Sequence, residues 1–274
     1  MLQLIFPPLV LNEWKETRDT LQKYCRMVVA IREVMSKPLP HSLHTNLLIS
    51  NKGFTTSTLP KNLSSPDQTF EVIIDIVHTR LIIESSYREP QRIALTGQSL
   101  NALCDETCSL LVDIGINPPL EKPMFMEGAR GRFDPEPLTE YWVTVTAVHQ
   151  VMNKIKTELR EETSPIQLRP DDLALILTWF GEELNVKGNS FVQQIEFGFS
   201  TGDVLIPEAY FYISTFPDTV EIEKLIIKEY LFQNNGKPYM AVMPYGMLIK
   251  RGGVEEKIIE FFKCAQVAFK KSTV

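Results

Sequence analysis

A local hairpin pattern between residues 70 and 84 constrains the fold of this chain more than any other feature. Apolar side chains alternate with polar ones along a predicted strand, whose apolar face carries Phe70, Val72, Ile74 and Ile76. Glu71 and Asp75 lie on the opposite face, because successive side chains of a strand point to opposite sides. Residues 77–80 then form a turn into a second apolar stretch over 81–84. Strands joined by so short a connection pair antiparallel, so the pattern predicts an antiparallel sheet.

Helices are predicted where apolar residues recur every three or four positions, and strands where apolar residues alternate or run without a break. The predicted helices cover 13–35, 99–114, 134–162, 217–230 and 255–270. Further strands are predicted over 45–50, 173–180, 191–199 and 209–216. The stretch 59–69 is rich in Ser, Pro and Asn and is predicted to be a surface loop, and 244–246 a turn.

The order of these elements predicts the fold class. A helix, strands and a helix are followed by a second helix, strands and a helix, with one more helix at the end. This order predicts an α+β fold in which antiparallel sheets pack against helices, with two similar halves. We expect an N-terminal half over 1–117, a connector over 118–133 and a C-terminal half over 134–274, packed as one compact unit. A length of 274 residues suits one large domain or two small ones.

The composition is that of an ordinary soluble protein and argues against several classes of function. Hydrophobic residues make up 44% and charged residues 23%. The net charge of −6 argues against a nucleic-acid partner, because such partners are bound by clustered Lys and Arg. The N-terminal apolar stretch has no basic residues before it, which argues against a signal peptide. No run of about eighteen apolar residues occurs, which argues against a membrane-spanning helix. We therefore expect no membrane partner and a cytoplasmic location.

Three of the four histidines fall within one segment of the chain, and they define the candidate site. Imidazole is the side chain best suited to proton transfer and metal ligation near neutral pH. Asp75 and Arg80 flank His78 on the predicted hairpin, and the hydroxyls of Thr55 and Thr56 can donate hydrogen bonds to a ligand. The candidate ligand-binding residues in this region are His41, His44, Thr55, Thr56, Asp75, His78 and Arg80.

This segment has three interpretations. The leading one is a small-ligand site near His41 to Arg80. The second is a metal-dependent enzyme with His41, His44 and His78 as candidate ligands, since two imidazoles and a carboxylate suit a divalent transition metal. The third is a set of surface and turn histidines, with Asp75 either solvated or paired with Arg80.

Two further functions stay open on the sequence alone. One is a binding module in which the aromatic strand contributes Tyr210 and Tyr212 from one face and Phe211 from the other. The other is a protein-interaction or chaperone-like module, suggested by helices and antiparallel strands with an acidic surface. No Gly-x-Ser-x-Gly elbow occurs and no Cys–His pairing is readable from the spacing, so no reaction follows. The sequence specifies neither a cofactor nor an oligomeric state.

Short motifs along the chain together resemble a known family. They are the stretch from His41 to Ser50, then Gly53-Phe54-Thr55-Thr56 and Pro60, the segment from Phe70 to Arg80, the helix start Asp134-Pro135-Glu136 with Tyr141-Trp142, then Ser164-Pro165, and Pro244-Tyr245. Over nearly the whole chain these resemble an uncharacterised bacterial family, the domain of unknown function numbered five-nine-nine-six. The resemblance implies a fold and a set of residue positions, and no activity.

The chain departs from the family pattern at two places. Ser42 and Leu43 stand where the family has aromatics between the two histidines. Val192, Gln193 and Gln194 stand where the family has a Ser-His-Glu stretch. If that His-Glu pair completes a site in relatives, this chain has lost part of that site.

Overall fold

The computed structural model describes most of the chain. The described residues are 4–62, 65–120, 125, 128–159, 162–186, 189–216, 231–234 and 237–272. The predicted helix over 217–230 lies outside them, as does part of the predicted connector at 121–124 and 126–127.

Four helices of the described chain lie close to predicted positions: α1 (Leu11–Met35), α2 (Leu100–Asp113), α3 (Pro135–Glu158) and α5 (Val254–Ser272). Helix α4 (Tyr245–Arg251) and a short 3-10 helix over Pro40–Thr45 were not predicted. No helix in this part of the chain is both long and apolar enough to cross a membrane.

The chain forms two compact units, and neither is one continuous segment. The N-terminal unit comprises Asn12–Trp142 and Gln167–Leu173. The C-terminal unit comprises Met1–Leu11, Val143–Ile166 and Ala174–Val274. Helix α3 begins in the N-terminal unit and ends in the C-terminal unit. The expected division at a connector over 118–133 stays a prediction.

The N-terminal unit contains an antiparallel sheet. Its strands are β1 (Leu47–Ile49), β2 (Gly53–Thr55), β3 (Leu59–Asn62), β4 (Ser65–Asp75), β5 (Arg80–Ser85), β6 (Arg88–Ala94) and β7 (Gln167–Arg169). They follow the order β7-β1-β2-β4-β5-β6, and β3 pairs with β4 outside this path. The hairpin of β4 and β5 aligns Ile74 with Leu81 and Asp75 with Arg80.

The core of the N-terminal unit lies between this sheet and the helices. The predicted stripe of α1 is buried, at Trp14, Leu21, Cys25, Val28, Ile31 and Met35. Phe54 of β2 meets the ring of Tyr141 on α3 with centroids 6.2 Å apart, and Trp14 stacks on Tyr141 at 4.8 Å. Burial of these large side chains is the main stabilising contribution within the unit.

The C-terminal unit has a second antiparallel set of strands. They are β8 (Ala174–Val186), β9 (Asn189–Ser200), β10 (Tyr210–Phe216), β11 (Leu231–Asn234) and β12 (Lys237–Pro244), in the order β8-β9-β10-β12-β11. Phe197 and Phe211 both contact Phe262 of α5, with ring centroids 4.9 and 6.3 Å apart. Phe199 contacts Tyr245 of α4 at 5.5 Å. One face of these strands is therefore covered by the two C-terminal helices.

The α+β prediction is confirmed, two local predictions were wrong, and one predicted strand was too long. Within the predicted loop over 59–69, residues 59–62 form β3 and residues 65–69 belong to β4. The two strands pair with each other, although the composition of this stretch is typical of a loop. Residues 245–251 form α4, so Pro244 caps a helix where a turn was predicted. The predicted strand over 45–50 shortens to β1, since a 3-10 helix occupies 40–45 before it.

Candidate functional site

Asp75 is the last residue of β4 and its side chain is fully buried, with 0% exposed. It pairs with Arg80 across the hairpin and with Gly53 of β2 on its other side. A Cβ at Gly53 would lie 1.9 Å from the carbonyl oxygen of Ile74, so only glycine lets β2 approach β4 this closely. A buried carboxylate is costly unless cations and hydrogen-bond donors compensate its charge.

The compensating groups come from the hairpin turn and from β5. The backbone N–H of His78 donates to Asp75 Oδ1 at 3.0 Å. His78 Nδ1 lies 2.9 Å from Asp75 Oδ2, and Arg80 Nε donates to the same oxygen at 2.9 Å. An ionised carboxylate only accepts hydrogen bonds, so the proton of the neutral His78 ring sits on Nδ1. The lone pair of Nε2 is then available to a ligand.

The outer sides of both partners are accessible. The His78 side chain is 56% exposed and that of Arg80 31% exposed. Within the described part of the chain, neither Nε2 of His78 nor the two terminal nitrogens of Arg80 has a further hydrogen-bond partner. An imidazole nitrogen and two guanidinium nitrogens are therefore presented together at the end of the hairpin.

The turn that carries His78 is fixed by backbone hydrogen bonds. The N–H of Ile76 donates to Lys52 O at 2.9 Å, and the N–H of Leu95 donates to Thr79 O at 2.9 Å. Thr79 itself has a φ of 48°, a left-handed conformation that is unfavourable for a β-branched residue. These bonds tie the turn to the β1–β2 connection and to the end of β6, which keeps His78 in one position.

Charged residues continue along the face of the sheet that carries Asp75. Alternation places Glu71 on this face of β4 and Glu84 on this face of β5. The Nζ of Lys52 lies 3.5 Å from Glu84 Oε1. Neither Lys52 nor Glu84 was among the predicted site residues, although the alternation of residues 80, 82 and 84 would have indicated Glu84.

His41 and His44 lie on the 3-10 helix and not on the hairpin. His41 is exposed and has a φ of 54°, and Ser42 after it has the same left-handed φ. His44 Nδ1 accepts from the N–H of Leu39 at 3.2 Å. In the described part of the chain, no three His, Cys, Asp or Glu side chains group so that they could hold a metal ion.

Thr55 and Thr56 use their hydroxyls within the protein. Thr55 Oγ1 donates to the carboxylate of Glu71 and accepts from the N–H of Ser57. Thr56 Oγ1 donates to Ser57 O at 2.8 Å and accepts from the N–H of Val72 at 3.0 Å. Both side chains thus satisfy buried polar groups where β2 ends beside β4.

Tyr210 and Tyr212 belong to the C-terminal unit and share one face of β10. Tyr210 Oη donates to Asp203 Oδ2 at 2.7 Å, and Tyr212 Oη donates to Glu196 Oε1 at 2.6 Å. Their rings join a buried cluster with Ala174, Ile176, Ile206, Met240 and Val242. Sequence reasoning placed the two tyrosines on one face but missed the carboxylates that receive their hydroxyl protons.

Of all the candidates, the structure brings Asp75, His78 and Arg80 together. A fixed carboxylate that holds one side of an imidazole leaves the other side free to accept a proton or a hydrogen bond. The adjacent guanidinium presents donors in a planar fork that suits an oxyanion. The arrangement can therefore bind a polar small molecule, and it can move a proton at Nε2 of His78.

Comparison with other proteins assigns the chain to a family and adds no activity. No curated protein and no solved structure matches it. Residues 6–272 match a family of unknown function, which is the family that the sequence motifs resemble. Because the match covers nearly all of the 274 residues, the chain belongs to the family of unknown function DUF5996.

Proposed function

We propose that the protein binds a small polar ligand at the end of the β4–β5 hairpin, through His78 and Arg80. The observation that carries this proposal is the buried Asp75 carboxylate, which holds both partners at 2.9 Å while their outer nitrogens face solvent. Arg80 suits a carboxylate or phosphate oxygen of the ligand. Nε2 of the neutral His78 ring suits a hydroxyl donor.

The same contacts also stabilise the hairpin turn, so the test must separate folding from binding. In a His78→Asn variant, the side-chain amide can still donate to Asp75, while the outward-facing ring nitrogen is lost. We expect this variant to unfold at nearly the wild-type temperature and to lose ligand binding. The measurement is thermal unfolding against a panel of small hydroxy acids and sugar phosphates.

An Arg92→Gln variant serves as the control, because Arg92 is exposed on the adjacent strand β6 and does not contact Asp75. A ligand that stabilises the wild type and the Arg92→Gln variant but not the His78→Asn variant would support the proposal. The proposal would be overturned if every compound that stabilises the wild type raised the unfolding temperature of His78→Asn by the same amount.

Proton-transfer catalysis at the same site is a second candidate function. It is favoured by the orientation of His78, whose Nδ1 is held by a carboxylate while Nε2 faces outward, as in a carboxylate-oriented general base. Its test is a screen for hydrolase and isomerase turnover with the wild type and the His78→Asn variant. Elemental analysis of the same two proteins tests the metal-dependent alternative. That alternative predicts a bound metal in the wild type and none in the His78→Asn variant.

We also propose a cytoplasmic location. In the described structure no disulfide joins any of the four cysteines, although Cys104 and Cys108 lie one turn apart on α2. Cysteines that stay reduced at such spacing are typical of a reducing compartment. Fractionation of the native host, with detection of the endogenous protein, tests this location.

A further inference from the structure

Arg32 is a buried cation in the last turn of α1, in the N-terminal unit. Only 7% of the residue is exposed. Its Nη1 donates to the backbone carbonyl of Asn46, just after the 3-10 helix. No sequence pattern marks this residue, because an arginine near the end of a helix is ordinarily solvated.

The charge of Arg32 has no carboxylate partner among the described residues. Other arginines of the same unit do have one: Arg26 lies 3.1 Å from Asp171, Arg80 2.9 Å from Asp75 and Arg169 2.7 Å from Asp172. Burial lowers the pKa of Arg32, and no acid among the described residues raises it again. The C-terminal end of the α1 dipole attracts the cation, but the dipole offsets only part of the cost of burying a guanidinium.

Most of the hydrogen-bond donors of Arg32 are unused. A guanidinium carries five N–H donors, and in the described structure Arg32 uses one of them, on Asn46. The 7% of the residue that stays exposed is the part of Arg32 that a ligand can reach. Buried donors of this kind are normally matched by an acceptor.

The segment beside Arg32 is held firmly in place. Gln167 of β7 is 1% exposed, and its Nε2 donates to Leu43 O at 2.8 Å. Thr45 Oγ1 donates to Ser42 O at 2.9 Å. These bonds hold residues 40–46 in a conformation that includes the left-handed His41 and Ser42, so the carbonyl that orients Arg32 is fixed before any ligand arrives.

We propose that Arg32 anchors a second binding site, for the carboxylate or phosphate group of a small free molecule. An oxyanion bound at Arg32 would neutralise the buried charge and accept from the unused N–H groups, for which the planar guanidinium fork is suited. Because only 7% of the residue is exposed, a small free anion reaches it more readily than a headgroup fixed in a membrane surface. This site does not depend on the site at His78 and Arg80.

The experiment measures the thermal unfolding of the wild type and three variants in chloride, phosphate and acetate at matched ionic strength and pH. Arg32→Met removes the charge and keeps an unbranched apolar side chain in place of the aliphatic part of arginine. Arg26→Met is the control, because Arg26 lies on the same helix but is exposed and already paired with Asp171. His78→Asn separates this site from the one at the end of the hairpin.

Phosphate or acetate is expected to raise the unfolding temperature of the wild type, Arg26→Met and His78→Asn in a saturable way, and not that of Arg32→Met. In chloride, Arg32→Met is expected to be at least as stable as Arg26→Met, because an uncompensated buried charge is gone. The proposal fails if the wild type shows no saturable response, or if Arg32→Met keeps it. A response lost in His78→Asn but kept in Arg32→Met assigns the anion to the hairpin and also overturns this proposal.

If Arg32→Met does not fold, NMR of the wild type decides. The side-chain Nε–H resonance of Arg32, assigned with an Arg32→Lys variant, is expected to shift on titration with inorganic phosphate, while that of Arg26 stays in place. An Arg32 resonance that moves no further than the Arg26 resonance would refute the site.

Discussion

At the scale of single residues, some buried polar groups have hydrogen-bond partners and others do not. Asp75 is fully buried and accepts from three donors. Tyr141 is also fully buried, yet its hydroxyl has no hydrogen-bond partner in the described structure. Burial raises the pKa of the Tyr141 hydroxyl well above its ordinary value, so the group stays protonated. A buried donor without an acceptor loses its hydration and gains nothing in return.

Replacing Tyr141 by Phe is therefore expected to stabilise the protein. The change removes the unpaired hydroxyl and keeps the ring that stacks on Trp14. We expect the free energy of unfolding to rise by about 1 kcal/mol, as measured by urea denaturation.

Tyr24→Phe is the matched control, for which the free energy of unfolding is expected to fall. The Tyr24 hydroxyl donates to Gln98 O at 2.7 Å, and the residue is 1% exposed. This variant is expected to lose about 1 kcal/mol. Equal losses in both variants would contradict the prediction, because they would show that the Tyr141 hydroxyl has an acceptor.

At the scale of elements, close packing between strands depends on two glycines that face neighbours directly. Gly53 lets β2 approach β4. Gly198 of β9 leaves room for the ring of Tyr212 on β10, since a Cβ at Gly198 would lie 2.0 Å from that ring. The ring in turn places the Tyr212 hydroxyl on Glu196, two residues before Gly198 on the same strand. The lack of a side chain at Gly198 thus allows Tyr212 and Glu196 to form their hydrogen bond.

Gly198→Ala is expected to displace the Tyr212 ring and to break its hydrogen bond to Glu196. The overpacking and the lost bond together lower the free energy of unfolding by roughly 2 kcal/mol. Gly246→Ala on α4 is the control, because its Cβ would meet nothing closer than 3.5 Å and alanine favours the helix. Chemical denaturation compares the two, and equal midpoints would refute the packing argument.

At the scale of the whole molecule, neither compact unit corresponds to one stretch of chain. The N-terminal unit needs Gln167–Leu173, which follow it after a segment that belongs to the other unit. Within those residues β7 pairs with β1, aligning Leu168 with Leu47. The returning segment also supplies the buried Gln167, which holds the 3-10 helix. A chain that ends anywhere between α1 and β7 therefore lacks part of the N-terminal unit.

Truncation tests this dependence. A fragment of residues 12–142 lacks β7 and is expected to unfold at a lower temperature and less cooperatively than a fragment of residues 12–173. Circular dichroism with thermal and urea melts compares the two. Equal melting curves would show that β7 contributes nothing to the N-terminal unit.

The sequence predicted those parts of the fold that depend on neighbours along the chain. The spacing of apolar residues located α1, α2, α3 and α5, because helical periodicity repeats within each segment. Alternation located β4 and β9 for the same reason, and the aromatic content of 209–216 located β10. Asp75, His78 and Arg80 meet across a hairpin whose turn is local, so their proximity was predictable from the sequence.

Only the tertiary structure decided which polar groups are buried and what they contact. Residues 59–62 became a strand because β4 supplied the hydrogen-bonding partner, against the preference of their own composition. Arg32 and Gln167 are buried near the 3-10 helix although they are 135 positions apart in the chain (167 − 32), and no periodicity encodes such a meeting. Local patterns fix elements because each residue's preference is set by its neighbours, whereas burial and charge pairing depend on contacts that form only when distant segments pack together.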